Sequence, residues 1–377
     1  MNELSLRKPC VLHLRSSEFF GGPERAILGQ CAAMRDFDFV CGCFQHSGQV
    51  PVFLERAEEL GVATEGIEQA KPWDYRVANR LREVVAKKGI DLVVSHDYKA
   101  TFFAMLALRG LSVGHIRHFR GATAEDVKVR FYNSIDRFVM RRLPRILVVS
   151  EGTRRTLEGY GVDSRCIEVV PNAIEDHKLV PPTFTRDARR SGGIRIVAAG
   201  RLSFEKGYDV LLDALIWLRE NAGDFTVEIF GHGPEQERLE RIVRRGQLGS
   251  QVRFKGFVGD ILPVLRKADL LVLPSRSEGM PNVILEAWAQ KLAVVATAVG
   301  GVPEMIEDGV SGLLARPEDS VGLARQLQRM MSDSSLAISC GEAGYARVCE
   351  QYNYRVQAAL LRRVYAEALA ATPDTGA

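Results

Sequence analysis

The sequence predicts an α/β protein with two doubly wound domains, each a parallel sheet covered by helices. The chain has 377 residues, enough for two domains of about 150 residues. Short apolar, β-branched runs alternate with amphipathic stretches along most of its length, as parallel strands alternate with covering helices. A charged segment containing Pro181-Pro182 and Gly192-Gly193 interrupts the alternation once, which is typical of an exposed linker.

The predicted strands are near-continuous apolar runs, as expected for strands buried on both faces. In the first half they are Cys10–Leu14, Phe39–Phe44, Leu92–Ser95, Gly114–Arg117, Ile146–Ser150 and Ile167–Val170. In the second half they are Arg195–Ala199, Thr226–Phe230, Val252–Phe257, Leu270–Leu273, Ala293–Ala296 and Gly312–Ala315. Predicted helices between them include Pro23–Met34, Tyr75–Lys88, Gly207–Asn221, Glu235–Arg245 and Pro281–Gln290.

These patterns give a predicted domain plan. Residues 1–177 form a first domain, 178–193 a linker and 194–350 a second domain. The final helical segment, 351–377, is expected to cross back to the first domain.

Composition narrows the class of protein. A net charge of +3 is too small for a strong nucleic-acid field. The seven cysteines include no Cys-x-x-Cys pair, so they are expected to be buried thiols in a reducing compartment rather than disulfides or zinc ligands. The start of the chain has no apolar signal-peptide core, and no apolar run reaches the roughly 18 residues that span a bilayer. The expected location is the cytoplasm, with peripheral contact to the inner face of the membrane left open.

Three turns of similar composition follow predicted strands: Gly21-Gly22-Pro23-Glu24, Gly279-Met280-Pro281-Asn282 and Gly301-Val302-Pro303-Glu304. Proline suits the first position of a helix, glycine permits close approach of a ligand, and free amides at a helix start attract anions. One such turn is common at any helix start. Three of them, at the strand ends where α/β sheets bind ligands, indicate an anionic ligand.

The strongest local pattern is Ser275–Ala287, which contains Glu278 in the turn and Glu286 within the helix. At about 1.5 Å per residue, Glu286 lies about 7–8 Å deeper along the helix axis than its start at Pro281. The two carboxylates therefore suit the two ends of an elongated polar ligand. The alternative is that Glu278 only favours the helix N-terminus, but Glu286, on an apolar helix, needs a partner.

A second loop, Gly200–Gly207, follows a predicted strand and precedes a helix. Arg201 and Lys206 can converge there on one diphosphate, the first as a fork and the second as a point charge. The loop is neither a Walker A sequence nor a Gly-x-Gly-x-x-Gly fingerprint. Two solvated cations are the alternative, which leaves the flanking glycines unexplained.

These motifs resemble glycosyltransferase family 4, which comprises retaining enzymes of the GT-B fold, with two Rossmann-like domains facing across a cleft. Glu278 and Glu286 match the family's Glu-x7-Glu motif, and Gly200–Gly207 matches its Gly-Arg-Leu…Lys-Gly loop. Val170-Pro171-Asn172 matches its domain junction. The match covers most of the chain and is more specific in the second domain.

The resemblance implies a donor site for a nucleotide sugar, UDP- or GDP-linked. Arg201 and Lys206 would bind its diphosphate, Glu278 the sugar, Glu286 the ribose, and the backbone at 256–257 the base. Gly22 would face the diphosphate from the first domain. The implied donor-binding residues are Gly22, Arg201, Lys206, Gly256, Phe257, Glu278, Gly279, Met280 and Glu286.

Catalysis is assigned by the same resemblance to Glu278, as a residue that positions the sugar, and to His96. His96 follows a predicted strand beside Asp97, and its alternative is a satisfied core histidine. Members often carry histidine where this chain has Val94, and glycine where it has Ala173. His118 and Arg120, in the run Arg117–Arg120, are the candidates for the acceptor side.

The implied reaction is a metal-independent, retaining transfer of sugar to an acceptor, in synthesis of a cell-envelope polysaccharide, lipopolysaccharide or glycolipid. No cofactor is expected. Asp36-Phe37-Asp38 spells a metal motif but falls at the amino end of a predicted strand, the wrong end for a ligand, and is interpreted as a turn. A nucleotide-sugar epimerase of the same fold and a non-catalytic nucleotide-sugar-binding protein remain alternatives. A nicotinamide oxidoreductase is disfavoured because its phosphate fingerprint is missing.

A basic amphipathic segment, 128–145, raises the hypothesis of a lipid-linked or membrane-apposed acceptor. Its cations are Lys128, Arg130, Arg137, Arg141, Arg142 and Arg145. Such a segment can lie on anionic lipid. A solvated face with core aromatics explains the pattern equally well.

Overall fold

The computed structural model describes residues 7–16, 20–46, 49–71, 73–121, 136–186, 193–222 and 224–371. They divide into two compact units. We call the residues up to Pro171, together with those from Tyr354 onward, the first unit. The residues from Asn172 to Asn353 are the second unit.

Each unit contains one parallel sheet. The strands of the first unit are β1 Cys10–Arg15, β2 Asp38–Gln45, β3 Ala63–Glu68, β4 Leu92–Ser95, β5 Gly114–Phe119, β6 Ile146–Val148 and β7 Ile167–Val169. Those of the second unit are β8 Ile194–Ala199, β9 Phe225–Phe230, β10 Val252–Gly256, β11 Leu270–Leu273, β12 Ala293–Thr297 and β13 Leu313–Ala315.

Helices connect and cover these strands. In chain order they are α1 Gly22–Ala33, α2 Val52–Glu59, α3 Arg76–Lys88, α4 Tyr98–Ala107, α5 Glu151–Gly159, α6 Tyr208–Asn221, α7 Gln236–Arg245, α8 Leu262–Lys267, α9 Asn282–Ala289, α10 Val302–Met305, α11 Ser320–Ser332, α12 Ser334–Gln351 and α13 Tyr354–Ala370.

The strand order fixes where each sheet can bind a ligand. The first sheet runs β3-β2-β1-β4-β5-β6-β7, and the second runs β10-β9-β8-β11-β12-β13. The order reverses between β1 and β4 and between β8 and β11. Ligands of open α/β sheets bind beyond the carboxyl ends of the strands at such reversals. A ligand-binding site is therefore expected in the loops that follow these four strands.

Each predicted strand overlaps an observed one, and the predicted α/β class is confirmed. One strand was not predicted. β3 reads Ala-Thr-Glu-Gly-Ile-Glu, and only Ile67 in it is buried. β3 lies at the edge of its sheet, so it lacks the continuous apolar pattern of the central strands.

The last helix, α13, belongs to the first unit. Leu361, Val364 and Tyr365 are fully buried in its core, together with Val11 of β1. Gln357 accepts a hydrogen bond from Gln30 of α1 at 3.2 Å. The core of the first unit is therefore assembled from chain segments more than three hundred residues apart.

The described parts of the predicted linker, 178–186 and 193, group with the second unit. Arg186 donates hydrogen bonds to the carbonyl groups of Gln290, Ala268 and Leu265. The ammonium of the buried Lys291 donates to the carbonyls of Pro182 and Phe184 at 2.9 and 2.8 Å. These side-chain contacts bind residues 178–186 to the second unit, although their composition predicts an exposed linker.

Candidate active site

Two loops meet at the reversal of the second sheet. Residues 200–207 follow β8, and residues 274–281 follow β11. The amides of Arg276 and Ser277 both donate to the carbonyl of Glu205, at 2.8 and 3.3 Å. Backbone hydrogen bonds therefore set the relative position of the two loops that carry the predicted donor residues.

Glycines let these loops approach closely. Gly207 has φ of +63°, and a Cβ there would overlap the carbonyl oxygen of Pro274. Gly300, in the turn after β12, has φ of +54°, and its Cβ would overlap the carbonyl oxygen of Glu278. Only glycine meets both the left-handed backbone and the close contact. The turn after β12 therefore packs directly against the backbone of Glu278.

The loops bring together a lysine, a serine and a glutamate. The Lys206 ammonium lies 2.7 Å from Glu278 Oε1, and the Ser275 hydroxyl donates to the same oxygen at 2.6 Å. The Glu278 side chain is 8 % exposed and that of Lys206 is 24 % exposed. A carboxylate this buried needs partners, and the lysine and serine provide them. We refer to these three residues as the Lys-Ser-Glu cluster.

The other predicted donor residues of the second unit lie on the same carboxyl edge. Arg201 is exposed directly after β8, and Glu286 is half-buried in the second turn of α9. Gly256 ends β10, and the amide of the exposed Phe257 donates to His232 Nε2 at 3.2 Å. The structure therefore joins Lys206 to Glu278 directly, and places the predicted base-binding backbone on a separate strand of that edge.

Met280 is fixed by the junction residue Asn172. The Asn172 side-chain amide donates to the Met280 carbonyl at 2.8 Å, and its backbone amide contacts Met280 Sδ at 3.1 Å. Both residues are buried. Asn172 therefore holds the turn that contains Gly279 and Met280.

Arg276 ties the two loops together through its side chain. It binds both carboxylate oxygens of Asp209, at 2.7 and 3.1 Å, and donates to the Phe204 carbonyl at 2.9 Å. Its guanidinium also pairs with Glu318 and lies 4.2 Å from the centre of the Phe204 ring. Sequence reasoning missed this role, because the partners are between 42 and 72 positions away.

A third loop of the second unit was also missed. Residues 231–235 follow β9, and Leu202 exchanges backbone hydrogen bonds with His232 and Glu235 at 3.0 and 2.9 Å. The run Gly231-His232-Gly233-Pro234 resembles the Gly-Pro turns singled out above. That composition could have identified it.

The Gly21-Gly22 turn of the first unit differs from the expected free anion site. Glu24 is 1 % exposed, and its Oε2 accepts from the Gly21 amide at 2.9 Å. Its other oxygen pairs with Arg15 at the end of β1. The expectation of free amides is therefore wrong for Gly21, because a carboxylate from the same turn occupies that amide. Gly22 itself begins α1.

His96 follows β4 at the reversal of the first sheet and is 5 % exposed. Its Nε2 lies 2.9 Å from Nδ1 of His13, a fully buried residue of β1. The ring of His118, on β5, is centred 5.5 Å from that of His96. Arg120 Nη2 lies 3.4 Å from His118 Nδ1. We call His13, His96 and His118 the histidine cluster.

Burial keeps these histidines neutral. It lowers the pKa of His13 to about 3, with the Arg120 charge as a second cause. Burial, followed by neighbouring positive groups, also holds the pKa of His96 and His118 well below the ordinary value. Burial lowers the pKa of Arg120 to about 10, so it remains a cation near neutral pH. The cluster therefore offers neutral imidazoles beside a positive charge.

Two aspartate motifs have structural roles in the fold. Asp97 caps α4 through the Ala100 amide and accepts from both the backbone and the hydroxyl of Ser16, at 2.7 and 2.6 Å. Asp36 pairs with Arg362 of α13 at 2.9 Å, and Asp38 opens β2 at its amino end. As the sequence predicted, Asp36-Phe37-Asp38 lies at the end of the strand opposite to the ligand edge.

The basic segment is only partly described, since residues 128–135, including Lys128 and Arg130, lie outside the described residues. Arg141 donates to the Tyr160 carbonyl at 2.6 Å, and Arg142 lies 3.5 Å from the centre of the Phe138 ring. Arg137 lies over the Tyr160 ring, and Arg145 pairs with Glu367 at 3.0 Å. Across the described ranges, no helix is both long and apolar enough to cross a membrane.

A cavity of about 130 Å³ lies elsewhere in the second unit. Its lining includes Ile194, Leu270 and Ala293, which are the first residues of β8, β11 and β12. It therefore opens at the amino edge of the sheet, opposite to the Lys-Ser-Glu cluster. This position does not suit the ligand of an α/β sheet.

The two parallel sheets, each with one reversal of strand order, form the GT-B fold. The structure of the Anabaena protein HepE in complex with UDP-glucose matches with a TM-score of 0.83 and 19 % identity, over 95 % of this chain and 99 % of that one. The match shows the shared fold.

Sequence comparison gives the family. Residues 20–178 match the family model described as Glycosyltransferase Family 4, and residues 193–333 match that described as Glycosyl transferases group 1. The amylovoran biosynthesis glycosyltransferase AmsK of Erwinia amylovora is 31 % identical over 300 residues, which cover 76 % of this chain and 67 % of AmsK. The 2-deoxystreptamine glucosyltransferase of Streptomyces kanamyceticus is 27 % identical over 66 % of this chain and 67 % of its own. The chain belongs to glycosyltransferase family 4.

Proposed function

We propose that this glycosyltransferase moves a sugar from a nucleoside-diphosphate sugar to an acceptor with retention of configuration, and without a metal ion. The observation that carries the proposal is the Lys-Ser-Glu cluster at the reversal of the second sheet. It places a cation and a hydrogen-bonded carboxylate 2.7 Å apart, where this fold binds ligands.

The cluster suits a ligand with a diphosphate next to a sugar. Lysine has three N–H donors, so Lys206 can keep its bond to Glu278 while it also binds a phosphate oxygen. Glu278 has a second oxygen that can accept from sugar hydroxyls. Arg201 supplies a further cation at the same edge. Glu286, deeper in α9, is assigned to the ribose, and the backbone at 256–257 to the base.

In the proposed reaction, the bond between the anomeric carbon and the β-phosphate oxygen breaks, and the acceptor oxygen bonds to the same face of that carbon. The departing phosphate takes the acceptor proton, so the products are a nucleoside diphosphate and a glycoside. Negative charge grows on the β-phosphate, and Lys206 and Arg201 stabilise it electrostatically. Glu278 positions the sugar. His96, as a neutral imidazole, binds a hydroxyl of the reacting sugar or acceptor.

The choice of UDP as the first nucleotide to test is supported by the HepE structures in complex with UDP and with UDP-glucose. GDP is the alternative. The lipopolysaccharide core biosynthesis glycosyltransferase LpsE of Rhizobium meliloti is 30 % identical over 42 % of this chain, which supports synthesis of a cell-envelope glycan as the setting. His118 and Arg120 are the proposed acceptor-side residues.

Thermal unfolding with UDP, GDP and UDP-glucose tests the donor. A ligand at 100 times its dissociation constant raises the free energy of unfolding by about 2.7 kcal/mol. We expect stabilisation by UDP or GDP and the matching sugar nucleotide, unchanged in excess chelator. Turnover that chelator abolishes and magnesium or manganese restores would contradict the metal-free mechanism.

Variants separate the roles of the two glutamates. Glu278→Gln should lower kcat by about 10- to 100-fold with UDP affinity unchanged, because its bonds to the sugar strengthen in the transition state. Glu286→Gln should mainly raise the donor KM and weaken UDP by about tenfold or more, since a charged hydrogen bond contributes about 1.5–3 kcal/mol. Calorimetry with UDP distinguishes them. Equal loss of UDP binding in both variants would reject the assignment.

The same assays distinguish the other functions of this fold. Release of free sugar with one inverted carbon would indicate an epimerase. Donor binding with no hydrolysis and no transfer would indicate a non-catalytic nucleotide-sugar-binding protein.

A membrane-apposed acceptor is the proposal that the basic segment supports. Sedimentation with anionic and neutral vesicles tests it, and greater binding to the anionic vesicles at low salt is the expected result. Equal binding to both would remove the proposal.

A further inference from the structure

His13 is a buried polar residue that the proposed function leaves unexplained. It lies in β1, in register with Val94 of β4, and its ring stacks on Phe39 with centroids 5.5 Å apart. Its Nδ1 is 2.9 Å from His96 Nε2. A histidine inside an apolar strand is costly unless its nitrogen atoms find partners. The contact with His96 satisfies one of them.

The contact constrains where the protons lie. Two neutral imidazoles carry one N–H each, so in this hydrogen bond one ring donates and the other accepts. In the described part of the chain, His13 Nε2 and His96 Nδ1 have no hydrogen-bond partner. Buried N–H groups without an acceptor are rarer than acceptors that are left unsatisfied.

The position of the two rings selects one arrangement. Both nitrogen atoms are buried, but His13 lies within the strand, whereas His96 lies beyond the carboxyl end of its strand, at the edge of the sheet where a bound substrate can bring an acceptor. The unsatisfied lone pair therefore belongs on His13 Nε2. His13 then donates through Nδ1–H to His96 Nε2, and the proton of His96 resides on Nδ1.

We infer that His13 is a positioning residue, which fixes the ring and the tautomer of His96 so that His96 meets a substrate oxygen through Nδ1–H. The inference rests on the role of His96 in the proposed function. It makes His13, a residue of β1 that precedes His96 by 83 positions, responsible for which nitrogen atom of His96 carries the proton.

Imidazole ¹⁵N NMR of the full chain tests the contact without any substrate. We expect His96 in the native protein as the Nδ1–H tautomer. His13→Leu should convert it to Nε2–H or a mixture, whereas His13→Asn should preserve Nδ1–H, because the asparagine side-chain amide can occupy the place of His13 Nδ1. His13→Gln, whose amide reaches nearer to the Nε2 position, should not preserve it. Should His13→Leu fail to fold, His13→Gln provides the same comparison with His13→Asn.

His115→Leu is the matched control. His115 is also buried, but it bonds the Ser95 hydroxyl at 3.0 Å rather than His96. Its loss should leave the His96 tautomer unchanged. A His96 tautomer that is Nε2–H in the native protein, or that stays Nδ1–H in His13→Leu, would overturn the inference.

Release of UDP from UDP-glucose gives the second measurement. His13→Leu should lower kcat about tenfold with little change in KM, and His13→Asn should restore most of it. A changed tautomer with unchanged kcat would uphold the contact and reject the catalytic role proposed for His96. The failure of this inference and that of the proposed function are therefore distinguishable.

Discussion

The two units place polar residues at the carboxyl edges of their sheets in different ways. In the second unit, backbone hydrogen bonds and glycines fix the loops, and the Lys-Ser-Glu cluster remains partly accessible. In the first unit, the edge is filled by buried titratable side chains, the histidine cluster with Arg15 and Glu24. Backbone contacts therefore determine the geometry of the Lys-Ser-Glu cluster, whereas the geometry of the histidine cluster depends on the protonation of its side chains. Their sensitivities to change should differ accordingly.

The largest expected difference is in acid. Burial lowers the pKa of His115 to about 4 and of His13 to about 3, and lowers those of His96 and His118 strongly. In the unfolded chain these imidazoles bind protons near pH 6.5, whereas in the folded unit they stay neutral to a lower pH. The free energy of unfolding therefore falls as the pH drops below 6.5 towards 4. His13 and His115 should each cost about 2 kcal/mol of unfolding free energy between pH 7 and pH 5, and His96 and His118 add to the loss in the same direction.

The described histidines of the second unit, His177 and His232, are exposed. Hydrogen exchange at pH 7 and pH 5, corrected for intrinsic rates, should therefore show the first unit losing protection first. His115→Leu should reduce the acid sensitivity of the first unit. Loss of protection in the second unit at a higher pH would contradict the comparison.

A glycine pair tests the backbone control of the second unit. Gly300 and Gly309 both have left-handed φ, but a Cβ at Gly309 meets open space, whereas one at Gly300 overlaps the Glu278 carbonyl. Gly309→Ala should cost about 1 kcal/mol of unfolding free energy, from the backbone alone. Gly300→Ala should cost about 2–4 kcal/mol, since overpacking adds about 1–3 kcal/mol.

Denaturant unfolding measures both variants, and kcat with the accepted donor shows whether Glu278 has moved. We expect kcat to fall only in Gly300→Ala. Equal behaviour of the two variants would mean that the close approach to Glu278 has no effect on its position.

A smaller effect than that of Gly300→Ala is expected at Arg276. Arg276→Lys keeps the charge but loses the bidentate contact with Asp209 and the bond to the Phe204 carbonyl. It should cost about 1–2 kcal/mol and raise the donor KM a few-fold, because the loop that carries Arg201 and Lys206 is held less firmly. Arg238→Lys is the control, since Arg238 also pairs with Asp209 but is 45 % exposed. A KM that rises equally in both variants would reject the loop-holding role.

The sequence predicted the fold because central parallel strands are apolar throughout, and it missed β3 because that edge strand is mostly polar. The Glu278 and Glu286 turn was readable because its spacing is local. The bond between Lys206 and Glu278 was not, since it joins residues 72 positions apart that only the sheet brings together. His13 gave no local signal either. A single histidine in an apolar strand acquires a role only when the neighbouring strand supplies its partner.

The placement of α13 has a consequence for biosynthesis. The second unit is a continuous stretch of chain, so all of its described strands have been made once residue 353 is synthesised. The first unit, although it contains most of the earlier residues, still lacks Leu361, Val364 and Tyr365 of its core at that stage. On the ribosome, the half made first is therefore the half completed last. Until α13 arrives, the apolar surface that it covers on α1, β4 and β5 is open to chaperones.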